Sequence, residues 1–273
     1  MSRKLGILAG GGVLPRLLVD MCREEGRAVF VLAFKGFTDT ETLSDVEHDW
    51  VRLGEVGAAL DALRKAGVED LVLAGPVRRP SLAALRPDAR ALKFFARVGG
   101  KALGDDGLLR GAIRVLEEEE GFRVIGVDDV LSGVTSPAGQ LGKYKPDDAA
   151  DRDIERGTAV LHALGSADVG QAVVVQDGLV LGVEAVEGTD ALLSRCAGLR
   201  REGPGGVLVK LGKPGQETRA DLPTIGVDTI RGAKNAGLRG VAVEAGITLI
   251  LSRAQVIAEA DEAGLFLVGL SAP

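Results

Sequence analysis

The chain has 273 residues, 46% hydrophobic and 26% charged, with a formal net charge of −6 and a sequence pI of about 5.2. That length can bury two cores, and the composition is that of a globular protein, not of a disordered or fibrous one. An acidic balance with 3% aromatic residues, Trp50 and Tyr144 being the sole Trp and Tyr, argues against a nucleic-acid partner, which needs a basic face or stacking rings.

Residues 4–9 read as a short apolar strand, 10–12 as a glycine turn and 13–25 as a helix with Pro15 in its first turn and Gly26 past its end. The basic start and apolar run mimic a signal peptide, but the glycines, Pro15 and the charged helix beyond them indicate strand, loop and helix. No segment reaches about 18 uninterrupted apolar residues, so any membrane contact is expected to be peripheral. Strands follow at 28–34, 50–53 and 70–74, with a polar loop over 35–42 and a helix over 56–66 stopped by Gly67. Helices over 81–98 and 106–120 and a strand over 122–127 complete an alternation that predicts a mainly parallel, doubly wound sheet. The four glutamates at 117–120 read as a solvated helix end.

Residues 132–146, rich in Gly, Ser, Pro and Thr, are the linker candidate between a nucleotide-binding-like domain over 1–131 and a second domain over 147–273. The second half opens with a helix over 147–163. Strands 172–176 and 179–185 meet at Asp177-Gly178, a hairpin signal that introduces antiparallel pairing. A helix over 189–196, a strand over 206–210, a helix over 228–236, strands over 240–243 and 248–251, a helix over 252–263 and a strand over 265–268 follow. The predicted fold class is therefore α/β in two domains, an N-terminal Rossmann-like parallel sheet and a C-terminal mixed α/β domain. Cys22 and Cys196 lie on predicted helices in different halves, without metal or redox spacing, and point to a reducing compartment, the cytoplasm.

Gly10, Gly11 and Gly12 follow a strand and open a helix, where amides and the helix dipole can receive a phosphate or a nucleotide edge. A simple tight turn would need the same glycines. The loop is not G-x-G-x-x-G and no acid ends the second strand, which disfavours a dinucleotide cofactor. After the 70–74 strand, Gly75, Arg78 and Arg79 offer either a phosphate contact or a solvated basic loop. Asp105 and Asp106 precede a helix, as a cap or as acceptors for ribose hydroxyls and base N–H groups.

Val180, Gly182, Glu184 and Val186 share one strand face, so Glu184 is costly there unless paired or metal-bound. Gln176 precedes the hairpin turn, and Glu187, Gly188, Thr189 and Asp190 lead into the next helix. Lys210 and Lys213 flank Gly212 at a strand end, where two cations can address one anion, and Arg219 adds a fork of donors. Asp221 stands just before Leu222, Pro223 and Thr224. There it could hold Mg²⁺, orient a water, or only form the turn. His48 and His162 have no Cys or His neighbours and no G-x-S-x-G occurs, which argues against a zinc site, a His-based triad and a serine hydrolase.

The segments LAGGGVLP, LAGPVRRP, GDDGLLR, QDGLVLGVEAVEGTD, VKLGKPGQETRADLPTIGVDTI and AGLRGVAVEAG run over nearly the whole chain. In order and combination they resemble the two-domain, magnesium-dependent UDP-2,3-diacylglucosamine pyrophosphatases of the LpxI type, which act in lipid A synthesis. Residues 213–221, KPGQETRAD, are similar to that family's K-P-x-Q-D-x-R-x-D, with Glu217 in place of an Asp. The resemblance implies hydrolysis of UDP-2,3-diacylglucosamine to 2,3-diacylglucosamine 1-phosphate (lipid X) and UMP, with Mg²⁺ as cofactor and the C-terminal domain catalytic. On this expectation Asp221, Glu187, Lys210, Lys213 and Arg219 are catalytic, and Asp221, Glu184 and Asp190 hold the metal. Gly10, Gly11, Gly12, Gly75, Arg78, Arg79, Asp105, Asp106, Gln176, Gly188, Thr189 and Thr224 then contact substrate. Peripheral contact with the inner face of the inner membrane and a homo-oligomer stay open. The rivals are a nicotinamide or nucleotide-sugar oxidoreductase, disfavoured by the missing fingerprint, and a noncatalytic lipid or nucleotide carrier, disfavoured by the crowded acids and bases.

Overall fold

The computed structural model describes residues 2–78, 81, 85–98 and 105–271, which fall into two compact units. One comprises Met1–Ser132 together with Glu217–Asp221, the other Gly133–Gln216 together with Leu222–Pro273. The short stretch Glu217–Asp221 thus belongs with the first half of the chain although it lies deep in the second.

In the N-terminal unit, apolar strands alternate with amphipathic helices: β1 (Leu5–Ala9), α1 (Leu14–Glu24), β2 (Val29–Phe34), β3 (His48–Val51), α2 (Val56–Lys65) and β4 (Asp70–Ala74). Next come α3 (Ala89–Val98), α4 (Asp105–Arg114) and β5 (Arg123–Val124). The sheet is parallel throughout, in the order β3-β2-β1-β4-β5. The order reverses between β1 and β4, and in open α/β sheets the crevice beyond the strand ends at such a point is where ligands bind. Leu32, Leu60, Leu63, Leu71, Ile113 and Val124 form the core on one side of this sheet.

Two expected helices are less regular than the pattern implied. The one predicted over 81–98 is interrupted over 86–88, because Pro87 disfavours the helical conformation of the residue before it, and it runs again from Ala89, with Asp88 accepting the amides of Arg90 and Ala91 as a cap. The 106–120 helix widens into a π-turn over Val115–Glu119. Its glutamates are only in part a solvated end: Glu118 and Glu119 are exposed, but Glu120 pairs with Arg64 and Arg90, Glu119 with Arg97 and Glu117 with Arg219.

The C-terminal unit contains β6 (Gly139–Gln140), α5 (Asp148–Gly165), β7 (Ala172–Gln176), β8 (Leu179–Val183), α6 (Thr189–Ala197) and β9 (Val207–Lys210). Then come β10 (Thr224–Ile225), α7 (Val227–Asn235), β11 (Gly240–Glu244), β12 (Leu249–Ile250), α8 (Arg253–Ala263) and β13 (Phe266–Leu270). Six strands form a mixed sheet, β6-β13-β11-β9-β7-β8, in which β9, β11 and β13 run parallel while β6 and the β7–β8 hairpin supply the antiparallel pairs. Strand alternation splits its side chains between two cores. Val174 and Leu208 pack with Leu192, Leu193, Ile230 and Val256 of the helices on one face, whereas Val173, Val175, Val207 and Val209 pack against Ile154 and Leu161 of α5 on the other.

The stretch expected as a linker is bound to this unit. Its residues 139–140 pair with β13, the Ser136 amide donates to the Thr248 carbonyl at 2.7 Å, and Arg253 donates to the Thr135 carbonyl at 2.7 Å. No helix among the described residues is long and apolar enough to cross a membrane.

Candidate functional site

The glycine corner lies at the ends of β1 and β4, where two backbones touch. A Cβ at Gly10 would sit 2.4 Å from the Gly75 carbonyl oxygen, and one at Gly75, whose φ is +85°, 2.2 Å from that of Gly11. Only glycine fits both sides of this crossing. All three amides donate within the chain: Gly10 to the Ala74 carbonyl at 2.8 Å, Gly11 to that of Pro76 at 3.1 Å, and Gly12 to the Asp39 carboxylate at 2.9 Å. The corner thus packs backbone on backbone, with the Asp39 carboxylate beside it. Arg78 is exposed just beyond, while Arg79 and the side chain of Asp105 lie outside the described residues.

In the C-terminal unit the register sets which residues share an edge. Ala172 pairs with Lys210 and Val175 with Val207, so Lys210 ends β9 on the same edge at which Glu244 ends β11. Lys210 and Glu184 are 5% and 6% exposed, and the Thr189 hydroxyl joins them. It accepts from Lys210 Nζ at 2.8 Å and donates to Glu184 Oε1 at 2.7 Å. Glu184 Oε2 accepts the Gln171 amide at 3.0 Å, so both carboxylate oxygens are satisfied inside the protein, as burial demands. Three residues chosen from sequence for three different roles are thus one hydrogen-bonded chain.

Lys213, just past the strand, donates to Asp168 at 2.6 Å, and its amide donates to Gln216 Oε1 at 2.9 Å. Glu187 takes the Ala185 amide at 3.0 Å and pairs with Arg195 at 2.9 Å. Its carboxyl is held below the ordinary value by its own backbone N–H and then by Arg195. Gly188 caps α6 at φ +82°, and Asp190 is exposed in the first turn of that helix. Thr224 donates its hydroxyl to the Leu222 carbonyl at 3.0 Å. Gln176 does not join this group. It sits at the other end of β7, fully buried, and its amide nitrogen donates to the Arg201 and Glu202 carbonyls at 3.1 Å each.

The remaining residues gather in the N-terminal unit. The Glu217 amide donates to Asp106 Oδ1 at 2.8 Å. Arg219 grips both oxygens of Glu217 at 2.8 and 2.9 Å and donates to Glu117 Oε1 at 2.8 Å. The guanidinium is pushed above its ordinary pKa, first by its hydrogen bond to Glu217, and the Glu217 carboxyl is lowered first by the same bond. Ala220 packs on the core of this unit, and Asp221, half-buried, donates its amide to the Glu217 carbonyl at 3.2 Å.

Of the acids expected to hold Mg²⁺, Glu184 and Asp190 belong to the C-terminal unit and Asp221 to the N-terminal one. Glu184 accepts from Thr189 and Gln171, and no three His, Cys, Asp or Glu among the described residues cluster as metal ligands. Asp39, Glu117, Asp168 and Gln171 were missed from sequence. All four act through contacts distant in the chain, and none stands in a spacing that betrays its partner.

Residues 4–134 match the family model of the LpxI N-terminal domain and residues 137–268 that of the LpxI C-terminal domain. The chain belongs to the LpxI family. A Caulobacter vibrioides relative named UDP-2,3-diacylglucosamine pyrophosphatase LpxI is 46% identical over 277 residues, covering 98% of each chain. Among solved structures, an N5-carboxyaminoimidazole synthase from Aspergillus clavatus overlaps 68% of this LpxI chain and 42% of its own. Its identity is 14% and its TM-score 0.25, too low to carry an argument. The segment Glu217–Asp221 falls within the LpxI C-terminal domain by sequence, yet its contacts place it in the N-terminal unit.

Proposed function

We propose that this chain hydrolyses the diphosphate of UDP-2,3-diacylglucosamine to 2,3-diacylglucosamine 1-phosphate and UMP. The observation that carries the proposal is identity of 46% with the Caulobacter pyrophosphatase over 98% of both chains. The reaction breaks a P–O bond of the anhydride with water, and the protein's work in such transfers is positioning and charge stabilisation.

Lys210 and Lys213, at one strand end, supply positive charge for the diphosphate oxygens. The contacts of Lys210 with Thr189 and of Lys213 with Asp168 hold the two ammonium groups at that edge. Asp221, the last residue of the segment carried by the N-terminal unit, orients the attacking water and takes its proton. Glu187, paired with Arg195, borders the same helix start as Thr189. Mg²⁺ enters the proposal through the family resemblance alone. The substrate's acyl chains make a peripheral position on the cytoplasmic face of a membrane the proposed location.

Release of UMP from UDP-2,3-diacylglucosamine by the purified protein tests the activity. Release that fails in EDTA and returns with Mg²⁺ supports the metal, and activity unchanged by EDTA removes it. Absence of UMP under all conditions sinks the proposal.

A further inference from the structure

Arg219 was expected to face phosphate, but its surroundings suit an anion poorly. One guanidinium meets two carboxylates, Glu217 on both oxygens and Glu117 on one, so the group is already over-neutralised. Three of its five N–H donors are spent on fixed acceptors. Asp106, expected to bind the uridine half, is 6% exposed and accepts the Glu217 amide while pairing with Arg110. Glu117 also accepts the Val124 amide at 3.3 Å, which ties it to the strand that ends the N-terminal sheet. All these contacts converge on five residues, the last of which is Asp221.

We infer that Glu117, Asp106 and Arg219 form a clasp that holds Glu217–Asp221 on the N-terminal unit and so fixes where the Asp221 carboxylate stands. Arg219 and Glu117 are positioning residues for the hydrolysis, and neither touches the diphosphate. The inference rests on the role proposed above for Asp221. The fork to Glu217 fixes the shape of the segment itself and aims the remaining guanidinium nitrogen at Glu117, two tasks that a single lysine ammonium cannot perform together. Glu217, where the family pattern has Asp, makes that fork with the guanidinium two residues on.

The test uses the full-length protein, with UMP release kinetics and amide hydrogen exchange over 213–222 measured on the same samples. Glu117→Ala and Arg219→Ala should each lower kcat by about 10²-fold, the cost expected of a small misplacement of a reacting group. KM should stay within about twofold, the sign that ground-state binding is intact. Exchange at the Glu217 and Asp221 amides should accelerate in both variants. The double variant should fall well short of the product of the two single effects, because both remove the shared Arg219–Glu117 contact. Arg219→Lys, which keeps the charge without the fork, should behave as Arg219→Ala does. Glu117→Gln, which keeps an acceptor and the fold, should lie between wild type and Glu117→Ala.

A rise in KM with kcat unchanged for Arg219→Ala, or Glu117→Ala with unaltered kinetics and exchange, overturns the clasp. If the wild-type protein releases no UMP, or Asp221→Ala retains turnover, the proposed function or the role of Asp221 fails. Exchange over 217–221 then decides the clasp by itself, acceleration in the variants supporting it and its absence refuting it.

Discussion

The two sheets end in different materials. At the ends of β1 and β4 the N-terminal unit presents backbone, with glycines packed against each other's carbonyls and their amides used internally. On the corresponding edge of the C-terminal sheet the strands themselves deliver charge, Lys210 from β9 and Glu244 from β11, with Glu184 following β8. The N-terminal unit takes in a charged stretch from elsewhere in the chain, the segment that ends in Asp221. Glycine and charge are equally visible in a sequence, but here the glycines serve a backbone crossing and the charges end the strands.

The most severe challenge to this contrast is removal of the borrowed carboxylate. Asp221→Ala is expected to reduce UMP release by roughly 10²–10⁴-fold, the usual contribution of a general base, with the fold intact by circular dichroism. Near-normal turnover would return the chemistry to the C-terminal edge alone. Next in size is the backbone corner. Gly75→Ala places a Cβ against the Gly11 carbonyl at a positive φ and should cost the N-terminal unit about 1–3 kcal/mol. Trp50, the sole Trp, lies on β3 of that unit, so its fluorescence in a urea titration reads the loss directly. An unchanged midpoint would show that the crossing is not tight.

On the side-chain edge, Thr189→Val deletes the hydroxyl that bridges Lys210 and Glu184 and should destabilise by about 1–3 kcal/mol. Urea unfolding followed by circular dichroism checks this, and no change would mean the bridge contributes nothing net. The smallest effect concerns pH. The Glu217 carboxyl is lowered in the folded protein, so its ionised form stabilises the native state above the ordinary value of 4.5. That contribution disappears as pH falls through the lower folded value. Exchange over 217–221 should therefore quicken below about pH 4.5 more in wild type than in Glu217→Gln, after correction for the intrinsic rate. Parallel profiles would remove Glu217 from the acid response.

Much of the architecture could be read from local pattern. Apolar runs bounded by glycine gave the parallel strands, and Asp177-Gly178 gave the hairpin that makes the second sheet mixed. Residues 139–140 escaped because two polar positions carry no strand periodicity, and their pairing with β13 is a tertiary matter. The glutamate run at 117–120 looked solvated because the arginine partners of Glu117, Glu119 and Glu120, namely Arg219, Arg97, Arg64 and Arg90, are scattered along the chain. Charge crowding located Glu184, Thr189 and Lys210, although not that one hydroxyl joins them. Gln176 was drawn in by proximity in sequence, which a five-residue strand converts into opposite ends.

Because Glu217–Asp221 belongs with Met1–Ser132, the polypeptide passes between units at three places: after residues 132, 216 and 221. The N-terminal unit is therefore not a contiguous gene segment. A fragment stopped at Ser132 would present Glu117 without its cation and Asp106 without the amide it accepts. Such a fragment is a receptor for its own missing piece. A synthetic peptide spanning residues 213–222 should bind it in trans, and that complementation would give the borrowed segment a measurable affinity.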